Sequence, residues 1–197
     1  MPIYTKKGDK GETGLFSHNP EQKIRISKSS LRVRAIGAID ELDSFIGLAK
    51  SFTNDKSYTK LLSEVQRNLL TIGSHLGGSG LKFSKSKTNF LEKKIDEWDK
   101  ELPKLSNFIL PGGTNLGAQL HVCRSATRRA EREITALSEL ESVHGNIKMY
   151  INRLSDFMFQ FSRYVNFKEN IKEEIWVGRA TINHARDSGN SSRSKSS

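Results

Sequence analysis

Apolar residues recur at spacings of three and four along five successive stretches, and this period leaves little choice but helices packed on one another. The first stretch runs from about Ser29 to Phe52, with Leu31, Ala35, Ile39, Leu42, Ile46 and Ala49 in register. The second, from about Ser57 to Leu76, repeats Tyr58, Leu61, Leu62, Val65, Leu69, Ile72 and Leu76. A shorter third lies between Thr88 and Leu102 and carries Leu91, Ile95 and Trp98. Pro103 and Pro111 then bracket an extended link, because proline has no place in a helix interior and biases its predecessor away from helix. The fourth follows Gly112-Gly113, takes Thr114 or Asn115 as its N-cap, and continues to about Glu141. Gly145 and Asn146 are expected to break it from a fifth, Ile147 to Phe167, with Ile151, Leu154, Phe157, Met158, Phe161, Tyr164 and Val165 on one face. No solenoid period and no strand alternation compete with this pattern, so the expected fold is an all-α, five-helix bundle.

Composition sets the outer bounds. With 197 residues, one domain with a tail is the default. Apolar residues are only 35 % and the mean hydropathy is −0.56, and no run approaches the roughly 20 apolar residues of a membrane span. The opening residues Met1 to Asp9 contain no apolar signal region, and Cys123 is the single cysteine, which excludes an internal disulfide and a cysteine-based zinc site. The expected location is therefore the reducing cytoplasm. Lys and Arg number 32 against 22 acidic residues, a formal net charge of +10, and such a field favours anionic partners. Part of the excess lies in the last twenty residues, where Arg179, Arg186, Arg193 and Lys195 face only Asp187 in a Ser/Gly/Asn-rich run of disordered character. The expected division is a domain over residues 1–182, comprising a loop at 1–28 and a bundle at 29–180, followed by a disordered basic tail at 183–197.

Residues 1–28 lie outside the helical pattern. Thr5-Lys6-Lys7-Gly8-Asp9-Lys10-Gly11-Glu12-Thr13-Gly14 has almost nothing to bury. Its glycines let backbone amides approach an anion, and its lysines and threonines add donors, so it reads either as a polyphosphate wrap or as an ordinary flexible terminus. It lacks the Gly-Lys-Ser/Thr ending of a Walker A loop.

Three helices carry a polar ridge beside the apolar stripe. In the first, Gly37, Asp40, Ser44 and Gly47 share a face, fit either for small-residue helix packing with Asp40 in a salt bridge or for a flat ligand. In the fourth, Arg124, Arg128 and Glu131 line one side with Arg129 and Arg132 adjacent, while Ala126, Ala130, Ile134 and Leu137 take the other. Such arginines repel unless neutralised, and forked guanidiniums match phosphate, so the ridge reads as a phosphate site or as a solvated charged face. In the fifth, Asn152, Asp156 and Arg163 sit at spacings of four and seven, suited to a ribose, a metal-bound water or an arginine from the fourth helix. His18, His75, His121, His144 and His184 show no metal-ligand spacing. Phe108, on the link pinned by Pro111, Gly112 and Gly113, reads first as a core plug.

These residues assemble into motifs that resemble a known family. Thr5 to Thr13 is similar to the N-terminal T-x-x-G-D-x-G-x-T loop of the PduO-type ATP:cob(I)alamin adenosyltransferases. Ser30-Leu31-Arg32-Val33 with Gly37-Ala38-Ile39-Asp40-Glu41-Leu42-Asp43-Ser44 resembles that family's first-helix signature, and Phe108-Ile109-Leu110-Pro111-Gly112-Gly113 its central link. Arg124-x-x-x-Arg128-Arg129-Ala130-Glu131-Arg132 resembles its arginine helix, Asn152-Arg153-Leu154-Ser155-Asp156 its last-helix signature, and Trp176 fits the pattern. Five motifs in order span about residues 3–180. Two positions depart: Arg34 stands where the family commonly has Glu, and Asp43 where it commonly has Asn, which puts local salt bridges in question.

The resemblance implies a homotrimer with active sites at subunit interfaces and transfer of the 5′-deoxyadenosyl group of ATP to the cobalt of reduced cobalamin, releasing triphosphate. By the same resemblance, ATP with Mg²⁺ is held by Thr5, Lys6, Gly8, Asp9, Gly11, Thr13, Lys28, Arg128 and Arg132. Glu131, Asn152 and Asp156 serve ribose or magnesium, with no metal site of the protein's own. Phe108 is the aromatic wedge that removes the lower axial ligand of cob(II)alamin, and Asp40 and Arg124 form a salt bridge that closes the corrin pocket. A flavin-type reductase and an adenosylcobalamin-dependent enzyme are the implied partners, with neither membrane nor nucleic acid. Two rivals are a basic helical nucleic-acid-binding protein, disfavoured because its aromatics lie on core stripes and no helix-turn-helix spacing appears, and a non-catalytic adenosylcobalamin carrier of the same fold.

Overall fold

In the computed structural model, residues 3–177 are described except 18, 20 and 22; the 183–197 tail, Arg179, His18 and His184 lie outside the described residues. Five helices form: α1 (Leu31–Ser51), α2 (Lys56–Leu76), α3 (Ser86–Asp99), α4 (Asn115–Leu140) and α5 (Gly145–Lys168). Packing runs α2–α1–α4–α5–α3 across the bundle. α5 is its central post, with Tyr150, Ile151, Leu154, Phe157, Met158 and Phe161 fully buried. Each such large apolar side chain contributes roughly 1.5–3 kcal/mol of burial. Trp98 of α3 seals one end, stacked on Phe161 at 4.9 Å and on Tyr164 at 5.3 Å between centroids. Among the described residues, no helix is long and apolar enough to cross a membrane.

The starts of α1, α2 and α4 are set by side-chain caps that satisfy otherwise orphaned amides. Ser30 accepts from the Val33 amide, Asp55 from Ser57 and Tyr58, and Thr114 from Gly117. Two expectations are corrected. Gly145 and Asn146 do not break the chain between α4 and α5. The break falls at 141–144, where His144 caps α5 by accepting the Asn146 amide, so Gly145 is the first helical residue. The N-terminal segment also contains strands: β1 (Glu12–Gly14) pairs antiparallel with β2 (Arg25–Ser27), Thr13 opposite Ile26. Three residues per strand are too few for alternation to register in the sequence.

The link between α3 and α4 is held by α5. Asn166, buried on α5, donates from Nδ2 to the Gly112 carbonyl at 3.0 Å, and its Oδ1 accepts from the Thr114 amide and hydroxyl at 3.0 and 3.1 Å. Gly113 has φ +104°, and a Cβ there or at Gly117 would overlap the Asn166 side chain. Both glycines are therefore obligatory for this approach.

Candidate active site

The N-terminal loop is a hydrogen-bonded structure with a cation laid over it. The Gly11 amide donates to the Gly8 carbonyl at 3.2 Å, and the Lys28 amide donates to the Gly11 carbonyl at 2.8 Å, tying the loop to the end of β2. Arg25 braces it from below through Lys7 O at 2.7 Å and Glu12 at 3.0 Å. Lys6 and Gly11 both take positive φ, 56° and 80°. A Cβ on Gly8 would lie 3.0 Å from the Lys28 ammonium, so glycine at this position lets Lys28 lie close against the loop backbone. Thr5, Lys6 and Asp9 are exposed around it.

On α4 the arginines divide by partner. Arg129 is paired with Glu41 of α1, a bundle contact. Arg34, the departure from the family pattern, is likewise paired with Glu133 at 2.9 Å. Arg124, Arg128 and Arg132 have no carboxylate partner among the described residues. Arg132 donates only to the Arg128 carbonyl, at 3.1 Å, and Arg124 Nε is buried and unsatisfied. Burial, then the charge of Arg128, depresses the Arg124 pKa. Three guanidiniums within about two turns, with no carboxylate paired to them among the described residues, carry forked donors of the geometry that matches phosphate or carboxylate.

Beside this ridge, Asn152 of α5 donates to Glu131 of α4 at 2.7 Å, so the structure brings together two residues that the sequence places on different helices. They border a cleft of ≈ 320 Å³ with Thr135, Lys148 and Met149. Asp156 does not join them. Its carboxylate receives Arg153 at 2.7 Å, and Arg153 also reaches Glu92 at 3.2 Å, so Asp156 braces α5 against α3. Arg163, the third member of that ridge, is turned into the protein and only 3 % exposed.

The expected Asp40–Arg124 ion pair is not formed within the chain. Asp40 is exposed on α1, where its carboxylate has no partner among the described residues and its backbone carbonyl also accepts the Ser44 hydroxyl at 3.0 Å. Gly37 has open space beside it, so this part of the face is not packed by another helix of the same chain. Asp43, the second departure, keeps Oδ1 buried without a partner, and burial raises its pKa.

Phe108 is not a core plug. It is 79 % exposed and stands on a short two-stranded strap. The Leu110 amide donates to Glu174 O, the Trp176 amide donates to Phe108 O, both at 2.8 Å, and Ile109 pairs with Ile175. Trp176 meets the Phe108 ring edge-on at 6.5 Å. Directed backbone bonds thus hold a large apolar ring out of the core, with its face open to solvent. Sequence reasoning missed Asn166 and Glu173 as supports, because their partners lie 52 and 10 residues away with no spacing rule to link them.

His121 lies under the α4–α5 contact, where its Nε2 meets Ser162 at 3.2 Å and its Nδ1 has no partner. Burial, then Arg124, pushes its pKa down to about 4, with Glu173 opposing. A histidine held neutral in the fold takes up a proton only on unfolding, so stability is full above the ordinary histidine pKa and falls as pH drops through it. Going from pH 7 to pH 5 is expected to cost at most about 2 kcal/mol from this group. Denaturation midpoints at both pH values measure it, and His121→Gln should flatten the difference; an unchanged slope refutes the assignment.

Comparison with known proteins gives the family. A sequence profile for cobalamin adenosyltransferases matches residues 3–165. The corrinoid adenosyltransferase of Bacillus subtilis is 39 % identical, covering 97 % of this chain and 100 % of its own length. Human corrinoid adenosyltransferase MMAB is 35 % identical, covering 89 % of this chain and 73 % of its own length. A variant PduO-type ATP:corrinoid adenosyltransferase from Lactobacillus reuteri, solved with cobalamin and ATP, matches with TM-score 0.84 and 37 % identity over 90 % of this chain and 100 % of that one. The chain belongs to the cobalamin adenosyltransferase family.

Proposed function

We propose that this chain transfers the 5′-deoxyadenosyl group of ATP to the cobalt of cob(I)alamin, giving adenosylcobalamin and triphosphate. The cobalt(I) electron pair forms the Co–C5′ bond while the C5′–O bond breaks and its electrons leave with the triphosphate. Cobalt(I) is already a strong nucleophile, so the protein's task is alignment at C5′ and stabilisation of charge on the leaving group. The observation that carries the reading is the match over 90 % of this chain to a relative solved with cobalamin and ATP, together with three α4 arginines that have no carboxylate partner among the described residues.

The residues divide the work. Thr5, Lys6, Gly8, Asp9, Gly11, Thr13 and Lys28 wrap the polyphosphate of MgATP, and Arg128 and Arg132 clamp it. Glu131 and Asn152, already bonded to each other at 2.7 Å, orient the ribose. Asp156 acts at one remove through Arg153. Phe108 displaces the lower axial ligand of cob(II)alamin, which eases the one-electron reduction to cobalt(I) by a flavin-type reductase. Asp40 and Arg124 pair between subunits of a homotrimer; the reading is supported by the absence of an ion-pair partner for either side chain among the described residues. The enzyme domain is residues 1–182, the tail at 183–197 is outside it, the setting is the cytoplasm, and the product passes to an adenosylcobalamin-dependent enzyme.

The test is anaerobic incubation of chemically reduced cob(I)alamin, MgATP and the protein, followed in the visible spectrum. Loss of the cob(I)alamin band with release of triphosphate and a light-sensitive alkylcobalamin is the expected result. Binding of ATP without spectral change would leave the carrier reading in its place.

A further inference from the structure

The strap that presents Phe108 has little apolar packing behind it. Between the link and the chain after α5 lies a cleft of ≈ 490 Å³, bordered by Leu102, Leu105, Ile109, Phe167, Ile171 and Ile175, and four of these six are counted among the exposed apolar side chains. Core contacts therefore do not fix where the strap sits. Directional polar bonds must do so: two backbone bonds join its strands to each other, and one side chain ties the returning strand to α5. Arg163 of α5 donates from Nε to Glu173 Oε1 at 2.6 Å and from one terminal nitrogen to Glu173 Oε2 at 3.2 Å. The same nitrogen donates to the Pro103 carbonyl at 2.9 Å, and the other reaches Gln160 at 3.4 Å. One buried guanidinium thus ties the start of the link, the returning chain and the central helix together.

The tie is close to the aromatic pair. Glu174, next to Glu173, accepts from Leu110; Trp176 donates to Phe108. A bidentate fork fixes distance and direction together, and in a site only 3 % exposed at Arg163 it is poorly screened. Removing the Glu173 carboxylate would untie the returning chain from α5 and let the Phe108 ring shift, with the phenylalanine side chain itself unaltered.

We propose that Arg163 and Glu173 are positioning residues for the reaction: a buried latch that holds the 107–111 and 173–176 strands in register, so that the Phe108 ring stands where it can displace the lower cobalt ligand. This rests on the wedge reading of Phe108. Neither residue touches substrate. Their effect is expected in the cobalt coordination step, not in nucleotide binding.

The experiment measures, by electron paramagnetic resonance, the fraction of cob(II)alamin that becomes four-coordinate on the full-length enzyme with saturating MgATP, alongside kcat and the KM for ATP. Phe108→Ala serves as reference. Glu173→Ala is expected to lower the four-coordinate fraction and kcat together by about tenfold, with the KM for ATP within about twofold. Glu173→Asp, which keeps the charge, should recover part of both. Because a lone buried guanidinium can unfold the chain, the double variant Arg163→Met/Glu173→Leu removes both charges and fills the site with apolar groups, which commonly preserves stability. It too should lose the four-coordinate signal while melting near the parent. If the double variant keeps the signal and Phe108→Ala loses it, the latch is refuted and the wedge stands. If Phe108→Ala also keeps the signal, the wedge reading fails and the latch with it.

Discussion

Phe108→Ala is expected to lower kcat by about 100-fold, equivalent to about 2.7 kcal/mol of transition-state free energy, while the KM for ATP changes by no more than about twofold. Phe108 is 79 % exposed, so truncating it removes little buried surface, and a thermal midpoint within a degree or two of the parent is expected for a surface change of about 0.5 kcal/mol. The ring lies on the strap, whereas the cations proposed for ATP lie on the N-terminal loop and α4. Loss should therefore fall on the cobalt step: with the lower ligand still bound, cobalt(II) is harder to reduce. Supplying cob(I)alamin directly, made chemically, should restore much of the rate. Equal losses in turnover and ATP affinity, or no recovery with pre-reduced substrate, would exclude the wedge role.

The exposure of this ring shows where sequence reading reaches its end. The bundle was legible because its signal is local: Leu120, Cys123, Ala126, Ala130, Ile134 and Leu137 repeat at three and four along α4, and all are buried. Thr114 as the α4 cap was legible for the same reason. A phenylalanine between Pro103 and Pro111 has no such context, and composition alone sends it to the core. What keeps it outside is the returning chain at 173–176, whose backbone bonds to the link join residues more than sixty positions apart. The arginine ridge divides in the same way. Spacing identified four arginines and a glutamate on one helix, yet only the three-dimensional partners separate Arg129, matched to Glu41, from Arg124, Arg128 and Arg132, which have no carboxylate partner among the described residues. The Asp156 carboxylate is paired with Arg153, three residues before it, an arrangement the sequence allowed but did not require.

Arg128→Ala tests the ridge. Removing one preorganised donor from a leaving triphosphate is expected to cost about 10²- to 10³-fold in kcat/KM for ATP. Arg128→Lys keeps the charge and loses the fork, so it should recover only part of the loss. Stability should move the other way. Arg128 and Arg124 repel across one turn, and the Arg124 pKa is depressed partly by that charge, so the ligand-free Arg128→Ala protein should melt no lower than the parent. ATP, however, should stabilise the variant less, because the shift conferred by a ligand follows the logarithm of its concentration over Kd. The pair of melting curves, with and without MgATP, separates the alternatives. A ridge that merely faces solvent would show unchanged ATP stabilisation and unchanged turnover in Arg128→Ala. A ridge needed for the bundle would show a lower midpoint without ATP. Only a phosphate clamp combines an undiminished ligand-free midpoint, a reduced ATP shift and a large loss of turnover.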